Sequence, residues 1–136
     1  KGNVIMSPMF ARHGFFQARI SILLEKFKPN GIIITECAVQ TNFGTKVADV
    51  TWFTKERWAE VRKDYDVHIS PEIAIEVLSL SNTITEMEEK KELYFQSGSL
   101  EFWVCDLEGH LHFYDKNSKL SQSKNVPDFP KLIEEV

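Results

Sequence analysis

Apolar and polar positions change period several times along the chain, and each change marks an element. From Met9 to Phe27, the residues Phe16, Ile20, Leu23, Leu24 and Phe27 recur three and four apart. This spacing predicts an amphipathic helix that stops near Pro29-Asn30-Gly31. A short strand is predicted ahead of it, Gly2 to Ser7, halted by Pro8. Gly31 to Val39 and Lys46 to Phe53 are strand-like runs separated by Asn42-Phe43-Gly44, the pattern of a hairpin. Thr54 is placed to cap a helix running through Trp58 toward Tyr65. Ile73 to Leu78 reads as a strand apolar on both faces, except at Glu76. Thr83 and Glu86 make a capping-box pair for a helix carrying Ile84, Met87 and Tyr94, with Gly98 as its stop. Leu100 to Leu107 is a second, nearly all-apolar strand, and beyond the turn at Glu108-Gly109 the segment His110 to Tyr114 pairs back on it. From Asp115 onward the chain is polar apart from short apolar runs and is expected to wrap the edge.

The order βαββ(α)βαββ predicts an α/β fold with a mixed central sheet flanked by helices. Hairpins supply its antiparallel pairs, and the Thr83 to Gly98 helix supplies a right-handed parallel crossover. The Glu76 strand and the Trp103 strand, apolar on both faces, are the expected centre. With 136 residues, 43% of them hydrophobic and 10 of them Phe, the chain suits one globular domain spanning 1–136. It has no apolar stretch long enough to span a bilayer and no signal-peptide pattern, so a cytoplasmic protein without membrane contact is expected. Lys1 is not a translation start, and residues are expected to precede it. Cys37 and Cys105 lie in apolar strands without CxxC or Cys/His spacing, which predicts reduced core thiols. A net charge of −4 argues against an overall basic coat for nucleic acid and leaves room for a local basic groove.

Glu76 is the most informative position. On a strand it shares a face with Ala74 and Leu78, a surface otherwise built for burial. An unpaired carboxylate there takes up a proton or destabilises the fold by several kcal/mol, roughly, unless a cation or donors meet it. Asp49 is a second acid within a strand. Alternation places it with Val47, Thr51 and Phe53, opposite Ala48, Val50 and Trp52. On adjacent strands the two carboxylates converge on one cation, and oxygen ligands of this kind suit Mg²⁺. The plainer readings are an ion-paired Glu76 and an Asp49 that ends a hairpin strand in water. Lys90 and Lys91 lie beside the apolar stripe of the following helix, and periodicity does not choose between them.

The residues Ala48-Asp49-Val50, then Ile75-Glu76-Val77-Leu78-Ser79-Leu80-Ser81, then Met87-Glu88-Glu89-Lys90 with Tyr94 and Gly98, then Glu101-Phe102-Trp103-Val104-Cys105-Asp106, resemble the Uma-two restriction endonuclease family. That family is a compact branch of the PD-(D/E)XK nuclease superfamily. The opening Gly2-Asn3-Val4-Ile5-Met6-Ser7-Pro8 with His13 is similar to its first motif. No single piece is specific; the order and spacing together are. The chain departs from the pattern at Ala48 and Leu80, where prolines are usual, and starts after the point where the family carries an early acidic residue.

The resemblance implies a restriction-endonuclease-like fold and a metal-dependent phosphodiesterase in which Asp49 and Glu76 hold Mg²⁺, or Mn²⁺, and Lys90 completes the site. Here Leu78 occupies the place, two residues after the second acid, where most of the superfamily has its lysine. Lys90 matches the family position better than Lys91. His13 is a candidate for lining the pocket, equally well read as a structural residue at a helix start, and Glu36 is as readily a solvated hairpin residue. His68, His110 and His112 show no ligand spacing. The expected partner is nucleic acid, DNA in particular, and a homodimer is expected because cutting two strands takes two sites. Trp52 and Trp58 are the aromatic candidates for its interface. The alternative function is a noncatalytic binding or assembly module that retains the fold, a reading favoured by the acidic balance.

Overall fold

The computed structural model describes residues 10–136. The predicted strand Gly2 to Ser7, its stop at Pro8 and the opening motif lie outside the described residues. The elements are α1 (Phe10–Phe27), β1 (Gly31–Thr41), β2 (Gly44–Thr54), α2 (Lys55–Val61), β3 (Ile73–Val77), α3 (Ile84–Gln96), β4 (Glu101–Cys105), β5 (Leu111–Tyr114) and β6 (Lys119–Leu120). The strands form a mixed sheet in the order β1-β2-β3-β4-β5-β6. Among these six strands, β3 and β4 run parallel, joined through α3, and the other neighbouring pairs are antiparallel. As expected, β3 and β4 are central and buried along their whole length.

Alternation along β3 divides the core between the two sheet faces. Ile73, Ile75 and Val77 pack with Phe16, Ile20 and Leu24 of α1, while Ala74 packs with Tyr94 of α3 and Val61 of α2. Phe16, Ile20 and Leu24 recur every four residues, so one stripe of α1 is sealed against the sheet. Gly31 begins β1 because a β-carbon there would lie 2.1 Å from the Trp52 indole, whose Nε1 donates to the carbonyl of Lys28. Trp52 is therefore a core residue, which corrects its reading as an interface aromatic. Trp58 packs against Phe53.

Both predicted caps form. The Thr54 hydroxyl accepts from the Arg57 amide, and Thr83 and Glu86 make the reciprocal capping box. Past α3, Gly98 takes a φ of 118°, a left-handed stop that a side chain would resist. The second helix ends at Val61, short of Tyr65. Arg62 to Asp66 carry no buried apolar residue that would continue the helix: Tyr65 is fully exposed, and Asp64 instead accepts the amide of His68. The segment after Asp115 does more than wrap. It adds β6 to the sheet edge and inserts Val126, Phe129 and Ile133 into the α1 side of the core. Both cysteines are free and buried, and burial pushes the Cys105 thiol up to about 12.

One reading of the hairpin is corrected. Ala48 packs on the same side as Phe53, whereas Val50 and Trp52 pack on the other, so strict alternation fails at Asp49. Across the ladder, Thr35 pairs with Val50 and Cys37 with Ala48, while Glu36 takes a φ of 52°. The two strands change phase at one rung. Asp49 is thereby released from the face assigned to it.

Candidate active site

The phase change coincides with a fork in the sheet. β2 pairs with β3 only from Val50 to Trp52 against Ile75 to Ile73, after which the strands part. The amide of Val77 then lacks a strand partner, and the Asp49 carboxylate fills the place, its Oδ2 accepting from Val77 N at 2.7 Å. Gln17 on α1 holds the same rung from outside: its Nε2 donates to the Asp49 carbonyl at 2.9 Å and to Glu36 Oε2 at 2.7 Å. His13, one turn earlier on α1, brings its Nε2 to 3.4 Å from Asp49 Oδ2.

Glu76 stands beside this fork, only 3% exposed. α3 crosses over it and delivers two donors from one helix face. Lys90 Nζ lies 3.2 Å from Glu76 Oε1 and also donates to the Val47 carbonyl at 2.9 Å, while Tyr94 Oη donates to Glu76 Oε2 at 3.0 Å. Lys90 and Tyr94 are four apart, so the helical period that buries Tyr94 also aims the lysine. Lys91 points the other way, onto the Tyr114 ring. Of the two lysines that periodicity does not separate, Lys90 is the one whose ammonium lies beside Glu76.

Glu76 carries the main electrostatic feature of the site. Burial, reinforced by the negative charge of Asp49, raises its carboxyl to about 8 against the opposing pull of Lys90 and Tyr94. Lys90 offsets only part of this rise; its ammonium is shared with the Val47 carbonyl and partly faces water. A divalent cation beside the carboxyl would favour its charged form. The Tyr94 hydroxyl is pushed up by burial and by Glu76, so it remains a donor.

The structure therefore brings Asp49, Glu76, Lys90 and His13 together at one fork. Glu36, which the sequence reading leaves out of the site as a solvated hairpin residue, joins them through Gln17. Gln17 and Tyr94 had no assigned role; the signals were the four-residue spacings from His13 to Gln17 and from Lys90 to Tyr94. Among the described residues, no group of three or more His, Cys, Asp or Glu side chains is arranged to hold a metal ion. The donor set is two carboxylates, which matches the partial protein coordination that Mg²⁺ takes alongside water and phosphate.

The Uma2 family profile, described as "Putative restriction endonuclease", matches residues 1–135. The chain belongs to this family. At the level of class, membership places the protein among chains described as nucleases, whose substrates are nucleic acids. A crystal structure of a "putative nuclease" from Anabaena variabilis superposes with a TM-score of 0.73 at 17% identity, covering 97% of this chain and 83% of that one. At that identity the likeness concerns the fold, a restriction-endonuclease-like mixed sheet flanked by helices. No curated protein matches the chain by sequence. No helix among the described residues is long and apolar enough to cross a membrane.

Proposed function

We propose that this Uma2 protein is a divalent-metal-dependent endonuclease that hydrolyses phosphodiester bonds in DNA, working in the cytoplasm as a homodimer, with 1–136 as its nuclease domain. The observation that supports this most is a buried carboxyl, Glu76, raised to about 8 beside a second acid and within 3.2 Å of a lysine ammonium. Two acids against one shared cation leave a deficit of positive charge that a divalent ion meets.

In this reading Asp49 and Glu76 supply the oxygen ligands to Mg²⁺ or Mn²⁺. When bound, such an ion neutralises phosphate charge and lowers the pKa of a coordinated water. The protein's own groups do the positioning. The Val77 amide fixes one oxygen of Asp49, and Tyr94 fixes one oxygen of Glu76. Lys90, already anchored on the Val47 carbonyl, stands ready to orient water or to stabilise charge growing on the phosphate. Its arrival from a helix, rather than from the strand position held by Leu78, leaves the chemistry of an ammonium beside two carboxylates unchanged.

The test is cleavage of plasmid and oligonucleotide DNA with Mg²⁺, Mn²⁺ or chelator, alongside calorimetric titration of each ion. Asp49→Ala and Glu76→Ala are expected to reduce cleavage by roughly 10³-fold or more and to weaken ion binding, the scale of losing about 4 kcal/mol at the transition state. Circular dichroism should show both folded. Lys90→Met should lose cleavage while keeping ion binding. Wild-type-like cleavage in both acid variants sinks the proposal, and a folded wild type that neither binds ions nor cuts indicates a noncatalytic module. Sedimentation of the wild type tests the dimer.

A further inference from the structure

Beyond the fork, α3 and the carboxyl ends of β3 and β4 enclose a cavity of about 430 Å³. That is within the range of small-ligand sites and matches the scale of a single nucleotide. Its floor is apolar, made by Leu78, Met87, Phe102 and Val104. One wall is the Tyr114 ring, with Lys91 Nζ 4.7 Å and Lys119 Nζ 6.0 Å from its centroid. Two ammonium groups thus lie within cation–π distance of one ring. Lys91 also meets Glu88 at 3.1 Å, but that carboxylate is 60% exposed and the contact is a solvent-facing helical pair, so it is readily exchanged.

The remaining wall is polar and ordered. Lys119 Nζ lies 3.2 Å from His112 Nδ1, and His112 Nε2 lies 2.9 Å from Asp106 Oδ2. An ammonium only donates, so Nδ1 accepts and the ring proton resides on Nε2, directed at Asp106. Asp106 also accepts the amides of Glu108 and His110, which fix its other oxygen. Asp106 closes the fourth segment of the family resemblance, and neither it nor His112 has a part at the fork.

This combination selects a ligand class. Inorganic phosphate would use the lysines and leave the apolar floor bare. A purely apolar ligand would bury against the floor and strand two ammonium groups and a carboxylate. A nucleotide has both halves: a flat base with apolar faces and a polar edge, attached to an anionic phosphate. Lys90 and Lys91 are consecutive on α3, one turned to Glu76 and the other to Tyr114, so one helix edges both regions. We infer that this cavity is a nucleotide subsite, taking one unstacked base of the nucleic-acid substrate on the apolar floor of Leu78, Met87, Phe102 and Val104, with its phosphate between Lys91 and Lys119 beside Tyr114. The identity of that strand as substrate rests on the nuclease reading; the recognition chemistry does not.

The test is amide NMR of the whole chain in chelator, titrated with deoxynucleoside 5′-monophosphates, with 2-deoxyribose 5-phosphate and with inorganic phosphate. The nucleotides are expected to shift the amides of Leu78, Asn82, Met87 and Lys119 saturably, and deoxyribose phosphate to bind at least tenfold more weakly. Lys91→Gln with Lys119→Gln should weaken nucleotide binding at least fivefold; Lys119→Gln alone should weaken it less. Nucleotides that shift no cavity amide overturn the inference, as does equal binding of all three probes, which marks a plain anion site. Glu76→Ala should bind nucleotides like the wild type. Binding by a protein that cuts nothing supports the subsite while removing the nuclease reading, and metal-dependent cleavage without nucleotide binding removes the subsite alone.

Discussion

Glu76 and Glu101 occupy neighbouring parallel strands at the centre of the sheet, and the protein treats them in opposite ways. Glu101 begins β4 opposite Ile73, whereas Glu76 lies near the end of β3 opposite Val104. Both are buried. Glu101 is surrounded by five neutral donors: Trp103 Nε1, Ser123 Oγ, the amides of Lys124 and Asn125, and Asn125 Nδ2, all within 2.9 Å. Glu76 has one hydroxyl, one shared ammonium and a second acid beside it. Fixed dipoles suffice to hold a buried charge in place, so Glu101 belongs to the framework that ties the C-terminal segment to the sheet. Glu76 is left short of donors in a site where the backbone has forked, which is the arrangement expected of a group that exchanges its proton for something else.

The largest effect should come from Glu101. Glu101→Ala strands several buried donors and detaches the Ser123 to Asn125 turn, and it is expected to destabilise the fold by about 3–5 kcal/mol, on the scale of breaking a buried charge network. Urea unfolding measures it. Glu76→Ala in the same assay should be far milder in metal-free buffer, since it removes a carboxyl that burial disfavours. A Glu76→Ala loss equal to that of Glu101→Ala would erase the distinction between the two acids.

The pH dependence sharpens it next. A carboxyl raised from 4.5 to about 8 on folding binds more protons in the native state than in the unfolded chain. Its contribution is fully present below about pH 4.5 and is lost as pH rises through about 8. In metal-free buffer, wild-type stability should therefore fall across that window by a few kcal/mol, roughly, relative to Glu76→Gln, which carries no titrating group there. Denaturant midpoints at pH 5, 7 and 9 read the difference. Parallel curves for the two proteins would show that Glu76 is not held as the acid. Adding Mg²⁺ or Mn²⁺ should flatten the wild-type fall by displacing the proton, and chelation should restore it.

How much of this contrast is legible in the sequence follows from where each partner lies. Glu76 stands out because a charge interrupts a strand apolar on both faces. Glu101 gives a similar signal next to Phe102-Trp103-Val104, yet its donors come from Ser123 to Asn125, a polar stretch with no periodicity to announce a fold. The central strands, both caps and the α1 stripe are legible because each rests on local spacing. The position of Asp49 is legible as an acid in a strand, but its direction is not, because the phase change depends on a positive φ at Glu36 that no side-chain pattern encodes. Lys90 and Lys91 are equivalent by helical geometry alone, and only packing on two different strands separates them. The Asp106 to His112 pair is half visible, since His110 and His112 share a strand face, but their common acid lies across the turn.

The smallest effects are those of the neighbours of Glu76, and they should carry opposite signs. Lys90→Met removes a positive charge and Tyr94→Phe removes a donor, so each should raise the Glu76 titration further. Asp49→Asn removes a negative charge and should lower it. Each change is on the order of 1 kcal/mol, the worth of one hydrogen bond or one screened charge pair. Carboxyl ¹³C shifts of Glu76 in metal-free protein resolve changes of this size where stability curves would blur them. The Asn variant also retains an oxygen that can accept the Val77 amide, so the fork should stay closed and the shift should report charge rather than rearrangement. If all three variants moved the titration the same way, loosened packing would be the common cause and the electrostatic contrast with Glu101 would fail. If Asp49→Asn alone lowers it, the two acids share one field, which is the property a divalent cation would exploit.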